Sequence, residues 1–187
     1  MGPEREPNSD NLGEQVSPLV STKNRLKNAG IIAILRGQNP LTLFDRGIAL
    51  AKIGCTAIEV SLDSKDALQI IQRLRNELPD TVQIGVGTIL ERNQIQACAE
   101  AGATFALSPT FPEGMIEDCH ANDILAIPGV STLVELHIAQ NAGAQIVKLF
   151  PSSKSIVPVE KVIVFPAVAA LPPKLATVAA PPVKSIT

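Results

Sequence analysis

The sequence predicts an α/β protein built on a TIM (β/α)8-type barrel, incomplete in this chain, with about six clear β/α units. Three observations carry that expectation. Short apolar, β-branched runs recur at residues 31–35, 57–62, 82–86, 104–107, 124–127 and 145–150, at intervals of roughly 20 to 26 residues. Amphipathic stretches separate them, the pattern of parallel strands joined by crossover helices. The distinctive polar residues follow the strands, whereas the turns from helix to strand are short Ala-Gly or Ile-Gly steps. That asymmetry fits a barrel that carries function on one face.

The elements follow in order. Residues 1–21 begin Met-Gly-Pro-Glu-Arg-Glu-Pro-Asn-Ser-Asp and read as a disordered, polar tail, without the apolar centre of a signal peptide or the Arg-rich, acid-poor character of a transit peptide. Gly2 is no myristoylation signal, because Pro3 follows it and Glu6 stands where Ser or Thr is needed. A short helix at 22–28 precedes the first strand. Helices are expected at 41–53, 67–78, 92–101, 112–120 and 133–142, with Gly54, Gly102, Asn122 and Gly143 as C-caps. Gly85-Val86-Gly87-Thr88 is too short to be a dinucleotide-binding fingerprint.

After Ser153 the pattern stops. Residues 154–187 hold six prolines and no glycine. A seventh strand at 162–165 fits, but Pro166, Pro172, Pro173, Pro181 and Pro182 exclude a continuous helix or a central strand beyond it. The expected organisation is a tail (1–21), a barrel domain (22–153) and an atypical Pro/Ala/Val-rich segment (154–187).

Composition narrows the function. A chain of 187 residues, 45% hydrophobic and 18% charged, makes one domain with a sizeable core. A net charge of -2 with no Trp, no Tyr and five Phe gives neither a basic footprint nor stacking platforms, which argues against nucleic acid. The lack of a long apolar span argues against a membrane and for a soluble protein. Cys55, Cys98 and Cys119 are odd in number and widely spaced, so reduced thiols and a cytoplasmic location are expected. His120 and His137 lack partners at metal-ligand spacing. Cys119 adjoins His120, but adjacent residues on a helix point to different sides.

Lys148 is the residue that packing logic does not explain. It interrupts Gln145-Ile146-Val147-Lys148-Leu149-Phe150-Pro151, where a buried parallel strand carries apolar groups on both faces. Desolvation lowers a lysine pKa, and the neutral amine attacks carbonyl carbon. Other polar residues hold equivalent places: Arg36 after the first strand, Glu59 within the second, Thr88 after the third, Pro109 after the fourth and Thr132 after the fifth. A barrel gathers such positions at one mouth. Lysine, carboxylate and guanidinium together suit imine chemistry, with Glu59 moving protons and Arg36 orienting a substrate carboxylate. Each residue also has a structural reading. Lys148 snorkels out of the core, Glu59 faces outward, Arg36 lies on the surface, Thr88 caps a helix and Pro109 shapes a turn. Their shared placement favours the functional one.

Six segments in order resemble the class I 2-keto-3-deoxy-6-phosphogluconate, 2-keto-3-deoxy-6-phosphogalactonate and 4-hydroxy-2-oxoglutarate aldolase family. They are Ile32-Ala33-Ile34-Leu35-Arg36-Gly37, Ala57-Ile58-Glu59-Val60-Ser61-Leu62, Gly85-Val86-Gly87-Thr88-Ile89-Leu90, Ala106-Leu107-Ser108-Pro109, Ile127-Pro128-Gly129-Val130-Ser131-Thr132 and Val147-Lys148-Leu149-Phe150-Pro151-Ser152-Ser153. The resemblance implies a Schiff-base aldolase that cleaves a 2-keto-3-deoxy sugar acid, usually its 6-phosphate, to pyruvate and an aldehyde such as glyceraldehyde 3-phosphate.

Lys148 then matches the imine-forming lysine and Glu59 the proton-transferring glutamate. Arg36 and Thr88 match residues near the pyruvyl carboxylate, and Pro109 and Phe150 match walls of the pyruvate pocket. No metal or other cofactor is implied, because the imine draws the electrons that a divalent ion draws elsewhere. A homotrimer is implied. Asp63 stands where many phosphogluconate-type members have arginine, and the Arg36 pattern with Pro151-Ser152-Ser153 lies closer to the galactonate-type branch. The family's Gly-rich phosphate loops find no counterpart in 154–187, where the sequence resembles a frame-shifted, alternatively spliced or truncated end. Two other readings compete: a catalytically impaired aldolase homologue, and another phosphate-binding barrel such as an isomerase or epimerase, in which Lys148 would pair ions and trap no imine.

Overall fold

The structure is a computed structural model that describes residues 16–151 and the short strand 162–163. Residues 1–15 of the tail expected over 1–21, and most of the segment 154–187, lie outside the described residues, and residues 18–21 of that tail belong to α1. The elements are α1 (Pro18–Ala29), β1 (Ala33–Leu35), α2 (Pro40–Lys52), β2 (Ala57–Ser61), α3 (Ala67–Glu77) and β3 (Gln83–Gly87). A 3-10 turn (Arg92–Gln94) then leads into α4 (Ile95–Glu100), followed by β4 (Phe105–Leu107), α5 (Met115–Ala121) and β5 (Leu125–Ile127). The order continues with β6 (Gly129–Val130), α6 (Leu133–Asn141), β7 (Val147–Leu149) and β8 (Val162–Ile163).

Strands β1 to β5 form one sheet in chain order, and β6, β7 and β8 form a second. Every pairing is parallel. Pro128 divides β5 from β6. Proline lacks an N–H and so interrupts a ladder, but its carbonyl accepts from the Lys148 amide at 2.8 Å, linking the two sheets. The six expected strands are all present, and β8 occupies the expected seventh position. Among the described residues the strands do not close into a barrel.

Boundaries moved where capping overrode periodicity. α1 starts at Pro18 rather than at residue 22, because Ser17 accepts from the Val20 amide and proline suits the first turn. α5 starts at Met115 rather than at residue 112: the Met115 amide donates to the Pro112 carbonyl, closing a turn, and Gly114 is left-handed at φ 74°. Gly54, Gly102 and Gly143 terminate their helices with positive φ as expected. Asn122 is the C-cap of α5 as expected, with its φ at −109°. Asp123 after it takes the left-handed position at φ 56°, a conformation that Asp tolerates because its short side chain bonds locally.

Two apolar layers hold the sheet. On the outer side Ile58, Val60, Ile84 and Val86 pack with Ile70, Ile71 and Leu74 of α3 and with residues of α4 and α5. On the inner side Ala57, Phe105, Leu107, Leu125 and Ile127 pack around Leu26 of α1. Arg25 of α1 also bonds the Asp80 carbonyl just before β3. The helix therefore covers the N-terminal ends of the strands and leaves their C-terminal ends open. No helix of the described residues is long and apolar enough to cross a membrane.

Candidate active site

Register aligns the inner face in layers. Ile34 pairs with Glu59, Glu59 with Gly85, Gly85 with Phe105 and Phe105 with Leu125. Glu59 is thus a carboxylate in an otherwise apolar layer, only 2% exposed. Its outward alternative fails, because Ile58 and Val60 occupy the opposite face with the helices. Space for the carboxyl comes from β3: a Cβ at Gly87 would overlap the Glu59 carboxyl, just as one at Gly85 would overlap the Phe105 ring.

Burial pushes the Glu59 carboxyl up to about 7, against the opposing pull of Lys148 and then Arg36. Its Oε2 is buried and has no partner among the described residues. Orphaned buried oxygens of this kind mark sites built for something other than packing.

Lys148 lies in β7 between the buried Val147 and Leu149 and is half-buried itself. Burial lowers its pKa, Glu59 opposes that shift and Arg36 reinforces it. The ammonium sits 5.0 Å from the centre of the Phe150 ring, close enough for cation–π attraction. Lys148, Glu59 and Arg36 are thereby brought together, each within the field of the others.

The strand ends place a second group beside them. Leu35 pairs with Val60, and Ser61 with Gly87, so Arg36, Ser61 and Thr88 emerge side by side from β1, β2 and β3. Arg36 Nη2 donates to Ser61 Oγ and to Thr88 Oγ1, both at 3.0 Å. The two hydroxyls are 2.7 Å apart. Arg36 Nε lies 3.3 Å from Asp63 Oδ1. Thr88 is not a helix cap, since the next helical turn begins at Arg92. Its backbone is left-handed at φ 62°, an outlier for a β-branched residue.

The remaining candidates occupy the rim. Pro109 is half-buried after β4, and its carbonyl packs so closely on Gly129 that a Cβ there would collide with it. Phe150 is half-buried after β7. Thr132 is at the same mouth, but its hydroxyl accepts from the Glu135 amide at 3.2 Å and donates to the Glu135 carboxylate at 3.0 Å. That capping box starts α6, so the hydroxyl expected at the pocket is occupied by its own helix. Asp63, marked in the sequence by standing where many relatives carry arginine, thus faces Arg36, whereas Ser61 had no sequence signal beyond standing two residues after Glu59 and so sharing its face.

Burial raises the Cys98 thiol to about 11 and the Cys119 thiol to about 12, with Cys98 and Asp118 adding to the latter. His137 Nε2 bonds the Asn141 amide at 3.1 Å. His120 is half-buried, its pKa lowered first by burial. No cluster of three or more His, Cys, Asp or Glu among the described residues could hold a metal ion.

The family model described as KDPG and KHG aldolase matches residues 22–172, through β8. A probable 2-dehydro-3-deoxy-6-phosphogalactonate aldolase of Rhizobium meliloti is 35% identical over 123 residues, covering 66% of this chain and 58% of that protein. The chain thus spans little more than half the length of that relative. A solved structure described as native KDPGal superposes with a TM-score of 0.63 at 31% identity, over 72% of this chain and 70% of that one. The KDPG aldolase of Legionella pneumophila, with pyruvate captured as a covalent carbinolamine intermediate, superposes with a TM-score of 0.62 at 25% identity, over 74% of this chain and 65% of that one.

Proposed function

The chain belongs to the KDPG and KHG aldolase family, and from that premise we propose that it is a class I aldolase cleaving a 2-keto-3-deoxy sugar acid to pyruvate and an aldehyde. The observation that carries this reading is the meeting of Lys148 and Glu59, whose burial moves their pKa values toward each other. Such opposed shifts raise both the fraction of neutral amine and the fraction of carboxylic acid near neutral pH.

The neutral Lys148 amine adds to the C2 ketone, giving a carbinolamine. Glu59 as the acid protonates the departing hydroxyl, which leaves as water, and an iminium remains. The resulting Glu59 carboxylate takes the C4 hydroxyl proton, directly or through water, as the C3–C4 bond breaks. That bond's electron pair flows into the iminium, so an aldehyde departs and an enamine of pyruvate remains. Glu59 returns the proton to C3; water then adds to the iminium and gives a proton back to Glu59, and the carbinolamine collapses to free pyruvate and the neutral amine. Arg36, with Thr88, holds the substrate carboxylate, while Pro109 and Phe150 wall the methyl end. Thr132 contributes by fixing the start of α6 at the rim.

Glyceraldehyde 3-phosphate is the aldehyde proposed for a 6-phosphate substrate, and a homotrimer the proposed assembly. The free thiols of Cys55, Cys98 and Cys119 support a cytoplasmic setting. Borohydride reduction in the presence of pyruvate should add a stable mass at Lys148. Folded protein that acquires no such adduct would overturn the reading.

A further inference from the structure

We propose that Ser61 is a positioning residue that sets where the Arg36 guanidinium meets a substrate carboxylate. The inference rests on the aldolase reading and extends it to a residue outside the proposed catalytic and carboxylate-binding groups.

Ser61 ends β2, two residues beyond Glu59, and its side chain is fully buried. Burying a hydroxyl is unfavourable unless it is bonded. This one is bonded at the site alone: it accepts from Arg36 Nη2 at 3.0 Å and lies 2.7 Å from Thr88 Oγ1. Its two partners come from different strand ends, and neither is rigid by itself. Arg36 is a long side chain with more than half of its surface in solvent. Thr88 holds a backbone conformation that costs energy for a β-branched residue and persists only where neighbours over-determine it.

Ser61 is the buried, strand-borne member of the triangle, so it supplies the fixed point. Nη2 is consumed by the two hydroxyls and Nε faces Asp63. Nη1 has no partner among the described residues, and the triangle therefore dictates which edge of the fork is offered to a carboxylate. The surrounding loop supports the same geometry: the Gly37 amide donates to Ser64 Oγ at 3.2 Å, and the Lys65 amide donates to the Gly37 carbonyl at 3.3 Å.

The test compares borohydride trapping at Lys148 by pyruvate and by acetone, a ketone without a carboxylate, in the wild type and in Ser61→Ala. Loss of one hydrogen bond to a charged group predicts a rise of about tenfold in the pyruvate concentration for half-maximal trapping. Trapping by acetone should keep its wild-type concentration dependence. An equal loss for both ketones, or none for pyruvate, would overturn the inference. If Ser61→Ala does not fold, the isosteric pair Ser61→Thr and Ser61→Val takes its place, and the same selective weakening is expected only for valine. Wild-type protein that traps neither ketone would remove the aldolase reading and this inference together, whereas trapping without a Ser61 effect removes the inference alone.

Discussion

Gly87 and Glu59 share one space: a side chain on the glycine would overlap the carboxyl group that the neighbouring strand buries. The glycine is therefore part of the site's construction. Gly87→Ala should force Glu59 from its rotamer and cost about 1–3 kcal/mol, the usual range for overpacking a filled interior. Denaturant unfolding measures that cost. Pyruvate trapping at Lys148 should fall more than tenfold, and wild-type trapping by the Gly87→Ala protein would detach Glu59's position from imine formation.

Glu59 also links stability to pH. Its folded-state pKa is raised from 4.5 to about 7, mainly by burial. The folded state thus binds the proton more tightly than the unfolded chain, and the associated stability is fully present below pH 4.5. It is lost as pH rises through about 7, to an extent of about 3 kcal/mol. Glu59→Gln should remove that slope and make the protein more stable than wild type at pH 8, while abolishing turnover. Lys148, whose pKa is lowered, contributes the opposite slope below its unfolded value of 10.5. Urea midpoints for both proteins from pH 4.5 to 8 decide the matter, and parallel curves would contradict it.

Much of this candidate site is legible in the sequence alone. Lys148 and Glu59 stood out because charge inside an apolar strand conflicts with burial, and strand order alone predicts a common mouth for residues 36, 59, 88, 109 and 148. What could not be read was which groups satisfy which. The Arg36, Ser61 and Thr88 triangle depends on the pairing of Ser61 with Gly87, and register is a property of neighbouring strands that no single strand encodes. Ser61 is an ordinary strand-end residue by sequence. Thr132 carries two signals at once: its place after the fifth strand, and the Thr-x-x-Glu spacing of a capping box, which the structure forms with Glu135. Helix starts at Pro18 and Met115 were misplaced because caps and a left-handed glycine, rather than apolar periodicity, decide where a helix begins.

Thr88 separates strain from stability. Its left-handed backbone at φ 62° costs an L-residue about 1–2 kcal/mol, and glycine would remove that cost while deleting the hydroxyl shared with Arg36 and Ser61. Thr88→Gly should therefore change stability by less than about 1 kcal/mol, the two effects offsetting. The pyruvate concentration for half-maximal trapping should nonetheless rise severalfold. Thr88→Ser, which keeps the hydroxyl, should bind like wild type. A glycine variant that binds pyruvate normally would show that Thr88 is present for its backbone alone.

Asp63 offers the prediction with the opposite sign. Its carboxylate lies 3.3 Å from Arg36 Nε with both side chains about half exposed, at 59% for the arginine and 47% for the aspartate. A pair so exposed contributes at most about 1 kcal/mol to stability. Electrostatically it matters more, because it sets a negative charge beside the cation that is proposed to receive an anionic substrate. Asp63→Asn should leave the unfolding midpoint nearly unchanged and lower the KM for a keto acid severalfold at low salt. The gain should fade above about 0.5 M salt, where screening reaches within a few ångströms. Trapping by a neutral ketone should not respond at any ionic strength. If Asp63→Asn weakens keto-acid binding instead, the aspartate's larger contribution is to hold Arg36 in place, and the hydroxyls of Ser61 and Thr88 do not suffice without it.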